Sequence, residues 1–352
     1  MSLPDSPALK ILVIRRDNIG DLVCTTPLIA ALRQRYPEAL IAALVNTYNC
    51  EVLANNPHLD CVYAYGKAKH RGERESLLHT YASRLRLIFE LRRQHFDYAV
   101  LATPGFQPRS LRFAKWVGAK HVIGLTEGVA RGERAIDLAV RYGAPVPRHE
   151  VEDVFRLLSA LGIEGPAPAL QVAPDPALAG TMFSNVAQRL SGGGPLVGIH
   201  ISARKPSQRW SVERFAGMVR ALDERHGARF VLLWAPGSER NPRHPGDDEK
   251  AKKLVDLVSD RRVLAVPTFR LSELIAALSV CDYVVCADGG AMHLAAALGK
   301  PILCFFGDSS PSRWRPWGVR HVLLQHESRD VATISEAEAV AAFAQLVADV
   351  RG

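Results

Sequence analysis

Residues 284–307 read VVCADGGAMHLAAALGKPILCFFG. Val284 to Ala287 is a short apolar, β-branched run, Asp288-Gly289-Gly290 breaks it, and Ala291 to Leu298 is rich in the helix formers Ala and Leu. Pro301 to Phe306 then begins a second apolar run. The order is strand, glycine turn, helix, strand, with both strands fully buried. Paired glycines let a backbone approach a ligand closely, and the following helix presents unsatisfied N–H groups and its positive dipole end to the turn. A diphosphate suits such a turn, with Asp288 as acceptor and His293 as donor beside it. Taken alone, the glycines read first as a tight strand-to-helix turn that Asp288 caps.

The same alternation runs through the whole chain. Lys10 to Arg15, Leu40 to Val45, Cys61 to Tyr65, Tyr98 to Ala102 and His121 to Ile123 are strand candidates in the first half. Leu196 to Ile201, Phe230 to Trp234, Val263 to Val266, Tyr283 to Ala287, Ile302 to Phe306 and His321 to Leu324 follow in the second. Helical patterns lie between most of them, which is the signature of an α/β protein with helices on both faces of a parallel sheet. The stretch 162–180, GIEGPAPALQVAPDPALAG, has the prolines and small residues of a connector. It divides the chain into a first domain, 1–170, and a second, 171–334. A last amphipathic segment, 335–352, carries Ser335 and Glu338 in capping-box spacing and is expected to pack back toward the first domain.

Composition bounds the function. A 352-residue chain with 48% hydrophobic and 23% charged residues can bury a large core. MSLPDSPALK lacks a basic stretch followed by a long apolar one, and no uninterrupted apolar segment spans a bilayer. These features predict a cytoplasmic protein. The six cysteines show no CxxC pair and no metal-ligand spacing, and they read as reduced, buried thiols. The net charge of +8 gathers between Gly66 and Gln94, around Lys67, Lys69, Arg71, Arg74, Arg84, Arg86, Arg92 and Arg93. An anionic partner fits that cluster. No nucleic-acid-binding module accompanies it, so a phosphorylated glycolipid or a charged membrane surface is expected and nucleic acid is not. The regular apolar spacing from Leu85 to Arg93 also fits a plain solvated helix face.

Ligands of open α/β sheets bind beyond the carboxyl ends of the strands, so the loops there hold the candidate chemistry. After the first strand, RRDNIGDLVCTTPLIAAL ends its loop at Gly20-Asp21, before an apolar helix that Pro27 kinks or interrupts. Asp21 can take a proton from a hydroxyl there, or serve only as a helix cap. The second half opens with VGIHISARKPSQRWSVERFAGMV. Ser202 can donate to a phosphate, Lys205 and Arg209 can neutralise a departing diphosphate, and Ser211 is the N-cap of a helix with the buried stripe Val212, Phe215, Val219 and Leu222. Trp210 reads as a packing residue. No G-x-G-x-x-G follows the first strand, which argues against a dinucleotide oxidoreductase. No D-x-D carboxylate pair stands ready for a divalent cation, so metal independence and no cofactor are expected.

Three segments, KILVIRRDNIGDLVCTTPLIAALR, GIHISARKPSQRWSVERFA and CADGGAMHLAAALGKPILCFFGDSSPSRWRPWG, together resemble glycosyltransferase family 9, the ADP-heptose:lipopolysaccharide heptosyltransferases, over nearly the whole chain. The resemblance implies a GT-B fold, two doubly wound Rossmann-like domains facing across a cleft. It also implies inverting transfer of a heptose from an ADP-sugar donor to an anionic glycolipid acceptor of the lipopolysaccharide inner core, with the enzyme in peripheral contact with the inner membrane. By that resemblance Asp21 matches the catalytic base. Asp288, Gly289, Gly290 and His293 match the loop that holds the donor's diphosphate and sugar, Ser202 the small hydroxyl phosphate contact, and Glu239 the acidic residue on the donor ribose. Lys67, Lys69 and Arg71 are the acceptor-binding candidates of the basic cluster. Two positions depart from the family pattern: Gln208 where it commonly has lysine, and Gly289 where it has threonine. They keep open another GT-B enzyme with a different sugar nucleotide, an epimerase included, and a non-catalytic nucleotide-binding protein with a degenerate site.

Overall fold

The computed structural model describes residues 9–66, 77–128, 132–142, 147–241 and 245–352, with the side chains of 77–81 left aside. Lys67, Lys69, Arg71 and Arg74 therefore lie outside the described residues. The chain divides into two compact units, Met1–Gln171 and Val172–Gly352.

The first unit is built on β1 (Lys10–Ile14), α1 (Ile19–Val23), α2 (Thr26–Arg35), β2 (Leu40–Asn46), β3 (Cys61–Tyr65), α3 (Leu77–Gln94), β4 (Tyr98–Leu101), α4 (Pro108–Val117), β5 (His121–Thr126), β6 (Leu138–Arg141) and α5 (Glu150–Phe155). Its sheet runs β3-β2-β1-β4-β5-β6, with all neighbours parallel. Strand direction in the sequence order reverses between β1 and β4, so the crevice of this doubly wound sheet opens beyond the ends of those two strands. Leu12, Ile14, Ala99 and Leu101 face Leu91 of α3 and Leu111 and Ala114 of α4 in one core layer. Pro27 occupies the first turn of α2, where its missing N–H costs nothing, so the expected interruption is a clean break between two helices.

The second unit contains α6 (Pro176–Arg189), β7 (Leu196–His200), α7 (Val212–His226), β8 (Arg229–Trp234), α8 (Asp248–Leu257), β9 (Val263–Pro267), α9 (Leu271–Ser279), β10 (Tyr283–Ala287), α10 (Gly290–Ala297), β11 (Ile302–Phe305), α11 (Pro311–Trp314), β12 (His321–Leu324) and α12 (Glu336–Arg351). Its sheet order is β12-β11-β10-β7-β8-β9, again parallel throughout. The reversal falls between β7 and β10. Helix α7 forms because Ser211 accepts the Arg214 N–H at its start and Gly227 closes its end at φ +60. Phe215, Met218, Val219 and Leu222 are buried with Val197, Ile199 and Phe230, each contributing roughly 1.5–3 kcal/mol by burial. Trp210 is a packing residue, as expected, against Phe215 and Phe305, and its indole donates to the Ile334 carbonyl at 2.8 Å.

Two expectations change. Helix α12 starts on the Ser335–Glu338 capping box, but its buried face, including Phe343 and Leu346, belongs to the second unit's own core beside α7. Its apolar stripe is matched by that sheet, and Gly217 of α7 admits Glu336 so closely that a β-carbon would lie 1.7 Å from its carboxylate. Helix α8 begins at Asp248, so Lys250 is a helical residue. Four cysteines are buried, whereas Cys50 and Cys61 are only half-buried; none of the six is in a disulfide.

Candidate functional site

In the first unit the residues at the end of β1 gather around one buried guanidinium. Arg15, 1% exposed, donates Nη1 to the Ala102 carbonyl at 2.6 Å, which ties β1 to the end of β4 at the sheet's crevice. Its Nη2 donates to Asp21 Oδ1 at 2.8 Å and to Glu150 Oε1 at 2.7 Å, and Asp17 Oδ2 lies 3.2 Å from Nε. Burial opposes the charge on Arg15, but Glu150 first, then Asp21 and Asp17, outweigh it and raise its ionisation above the usual range.

Asp21 is not the N-cap of α1. Asn18 holds that position, and Asp21 reaches back from the third helical residue, its Oδ2 accepting the Asn18 N–H at 2.8 Å and the Asn18 side-chain amide at 2.9 Å. The capping reading of Asp21 is thus fulfilled in a different form. Among the described residues it leaves Oδ1 with one bond, to Arg15, and a carboxylate oxygen can accept two.

In the second unit the β7–β10 register pairs His200 with Cys286, and two residues further along each strand come Ser202 and Asp288. Both therefore stand at the crevice of this sheet. Ser202 Oγ accepts the Ala235 N–H at 2.8 Å, which orients the hydroxyl and keeps its hydrogen for another acceptor. Asp288 accepts the side-chain amide of Gln208 at 2.8 Å. Burial is the largest influence on Asp288 and raises its pKa above the ordinary carboxylate value; Ser309, Lys205 and Gln208 oppose it, and Asp308 adds repulsion. Gly289 caps α10, and Gly290 begins it, so the first-turn N–H groups have no helical acceptor and point toward the turn. Gly289 is extended, and a β-carbon there would meet nothing within 4 Å. A threonine would fit, so the departure at this position is not forced by the backbone. His293 is buried one turn into α10, its ring edge-on to Trp314 at 5.9 Å.

The expected cations divide. Lys205 is engaged by Asp308 at 2.9 and 3.1 Å. Arg209 donates Nε to the Ala203 carbonyl at 3.1 Å. Lys250 went unnoticed in the sequence; it donates to the Ile201 carbonyl at 2.9 Å and lies 5.3 Å over the Phe215 ring. Burial lowers its ionisation, with Asp247 and Glu239 opposing and Arg209 assisting. Glu239 is exposed in the loop after β8, its N–H donating to the Glu249 carboxylate at 3.3 Å. The loop after β11 comes against the basic loop because Gly307 has no side chain: a β-carbon would lie 2.3 Å from the Ser207 carbonyl. Gln325 then holds it, donating to the Gly307 and Ser309 carbonyls. A half-buried carboxylate, oriented hydroxyls, a helix N-terminus and several cations in one crevice suit a ligand that is part anion and part polyol. Among the described residues no group of three or more His, Cys, Asp or Glu is arranged to hold a metal ion.

Residues 84–340 match the family model described as glycosyltransferase family 9 (heptosyltransferase). Lipopolysaccharide heptosyltransferase 2 of Escherichia coli (strain K12) is 25% identical over 348 residues, covering 93% of this chain and 89% of that protein. A glycosyl transferase family 9 structure from Veillonella parvula DSM 2008 superposes with a TM-score of 0.80 at 20% identity, over 97% of this chain and 98% of its own. An E. coli heptosyltransferase solved with ADP-2-deoxy-2-fluoro heptose gives 0.74 at 17% identity, over 97% and 100%. At such identities the structural likeness speaks for the fold, two doubly wound domains of the GT-B class.

Proposed function

Because the chain belongs to glycosyltransferase family 9, the heptosyltransferases, we propose that it moves a heptose from ADP-heptose to a hydroxyl of a lipopolysaccharide inner-core acceptor, inverting the anomeric centre. The observation that carries the donor half is the grouping of Ser202, Asp288 and the α10 N-terminus at one sheet's crevice. The related E. coli enzyme solved with an ADP-heptose analogue supports the choice of nucleotide.

In this reading the second domain, 171–334, holds the donor. Ser202, the first-turn N–H groups at Gly289 and Gly290, and the cations Lys205 and Arg209 take the diphosphate, His293 and Asp288 border the sugar, and Glu239 takes the ribose. The first domain, 1–170, takes the acceptor, with Lys67, Lys69 and Arg71 meeting its anionic groups. The acceptor hydroxyl gives its proton to Asp21 Oδ1 while its oxygen bonds to the anomeric carbon. The bond from that carbon to the diphosphate breaks on the opposite face, its electron pair leaves with ADP, and the configuration inverts.

Incubating the protein with ADP-heptose and a panel of truncated lipopolysaccharide cores, read by mass, tests this. A heptose-sized gain on one core is expected; no gain on any, with a gain from another sugar nucleotide, overturns the donor. That second outcome is the alternative favoured by Gln208, whose neutral amide stands where the family commonly has a cation. For an acceptor anchored in a bilayer, peripheral contact with the cytoplasmic face of the inner membrane completes the proposal. No described helix is long and apolar enough to cross a membrane.

A further inference from the structure

Glu150 has no part in the site as the sequence reads it, yet its carboxylate is wholly buried against Arg15. Taking two ions from water costs several kcal/mol each before their attraction offsets it, and apolar pairs of similar size often fold as well or better. Stability alone gives no reason for a charged pair here. Geometry gives one. A single nitrogen, Arg15 Nη2, carries one hydrogen to Glu150 Oε1 at 2.7 Å and the other to Asp21 Oδ1 at 2.8 Å. The Glu150 bond therefore sets the direction in which Arg15 meets Asp21. With Asn18 fixing Oδ2 from two sides, the carboxylate plane is set and the remaining acceptor position on Oδ1 has one direction.

We propose that Glu150 is a positioning residue, which through the shared Nη2 of Arg15 holds the Asp21 carboxylate with its open Oδ1 position toward the attacking hydroxyl. The proposal rests on the reading of Asp21 as the base. Glu150 exchanges no proton: the acceptor's proton ends on Asp21, and the electron pair of the cleaved bond leaves with the diphosphate. Glu150 also absorbs a share of the Arg15 charge that would otherwise fall wholly on Asp21. Without it the second Nη2 hydrogen loses its acceptor, and the guanidinium can turn from the direction in which it now meets Asp21.

The test uses the full chain with ADP-heptose and the core acceptor found by mass. Glu150→Gln keeps the size and an acceptor oxygen but removes the charge; kcat is expected to fall about 10–100-fold, the scale of a misplaced reacting group, with the donor KM within about twofold. The double variant Arg15→Met/Glu150→Leu separates position from stability, because it leaves neither partner of this pair buried alone. It should regain the parent's unfolding midpoint while kcat stays low. A Glu150→Gln enzyme with the parent's kcat, or a double variant that regains kcat along with its midpoint, overturns the proposal. If Asp21→Ala abolishes transfer while Glu150→Gln leaves it unchanged, Glu150 alone is refuted. If Asp21→Ala transfers at the parent rate, or the parent does not transfer heptose at all, the reading beneath it fails and takes the proposal with it.

Discussion

Gln208 donates its side-chain amide to the Asp288 carboxylate at 2.8 Å, joining the basic loop after β7 to the glycine turn after β10. A neutral donor satisfies the acceptor without adding charge, and Asp288 stays raised by burial. Gln208→Lys would put an ammonium in that place. It should lower the pKa of Asp288 and tighten ADP binding about 3–10-fold at low salt, a gain that shrinks as salt is added. Calorimetric titration of both proteins with ADP checks this; equal or weaker binding by the variant would show that position 208 does not face the diphosphate.

His200, at the end of β7, is pushed down to about 4 by burial, with Lys250 adding repulsion. The folded ring is therefore neutral where the unfolded one, near its ordinary 6.5, takes up a proton. Its stability contribution is complete above pH 6.5 and is lost as pH falls from there toward about 4. Denaturant melts of parent and His200→Gln should diverge across that window, the variant losing less. Parallel curves would contradict a neutral His200.

The reaction as proposed draws its charge stabilisation from Ser202, Arg209, Lys205 and the α10 N-terminus. Turnover in excess chelator should therefore match that in buffer. Loss of activity that magnesium or manganese restores would require a metal-held diphosphate instead.

On α3, Leu85 and Phe89 are 57% and 65% exposed, and Arg86 and Arg93 line the same hollow as Phe89 with Glu90. Arg92 reaches the carbonyl of Trp116 on α4, itself 43% exposed. Apolar side chains among arginines suit the surface of an anionic bilayer. Cosedimentation with vesicles containing anionic lipid should fall about tenfold in Leu85→Glu/Phe89→Glu. Binding that depends on neither lipid charge nor these residues would place the contact elsewhere.

Both sheets were legible because eleven of their strands are continuous apolar runs bounded by turn residues. The one missed, β6, is four residues at a sheet edge with alternate positions exposed, too short and too polar to stand out. The glycine turn and the Ser211 cap were equally legible, since each acts within its own loop or helix start. The partners of Asp21 and Asp288 were not. Glu150 lies 135 residues from Arg15, and Gln208 lies 80 from Asp288, so only the folded sheets bring them together. Local spacing also misassigned a cap: Asn18 rather than Asp21 starts α1, because a capping box puts the carboxylate three residues inside the helix.

The most direct measurement compares heptose transfer and ADP affinity in Asp21→Ala. Removing the base from the first domain while leaving the second domain's crevice intact should cut transfer by about 10²–10⁴-fold, with the ADP dissociation constant within about twofold of the parent. An Asp21→Ala enzyme that transfers heptose at the parent rate would contradict the account.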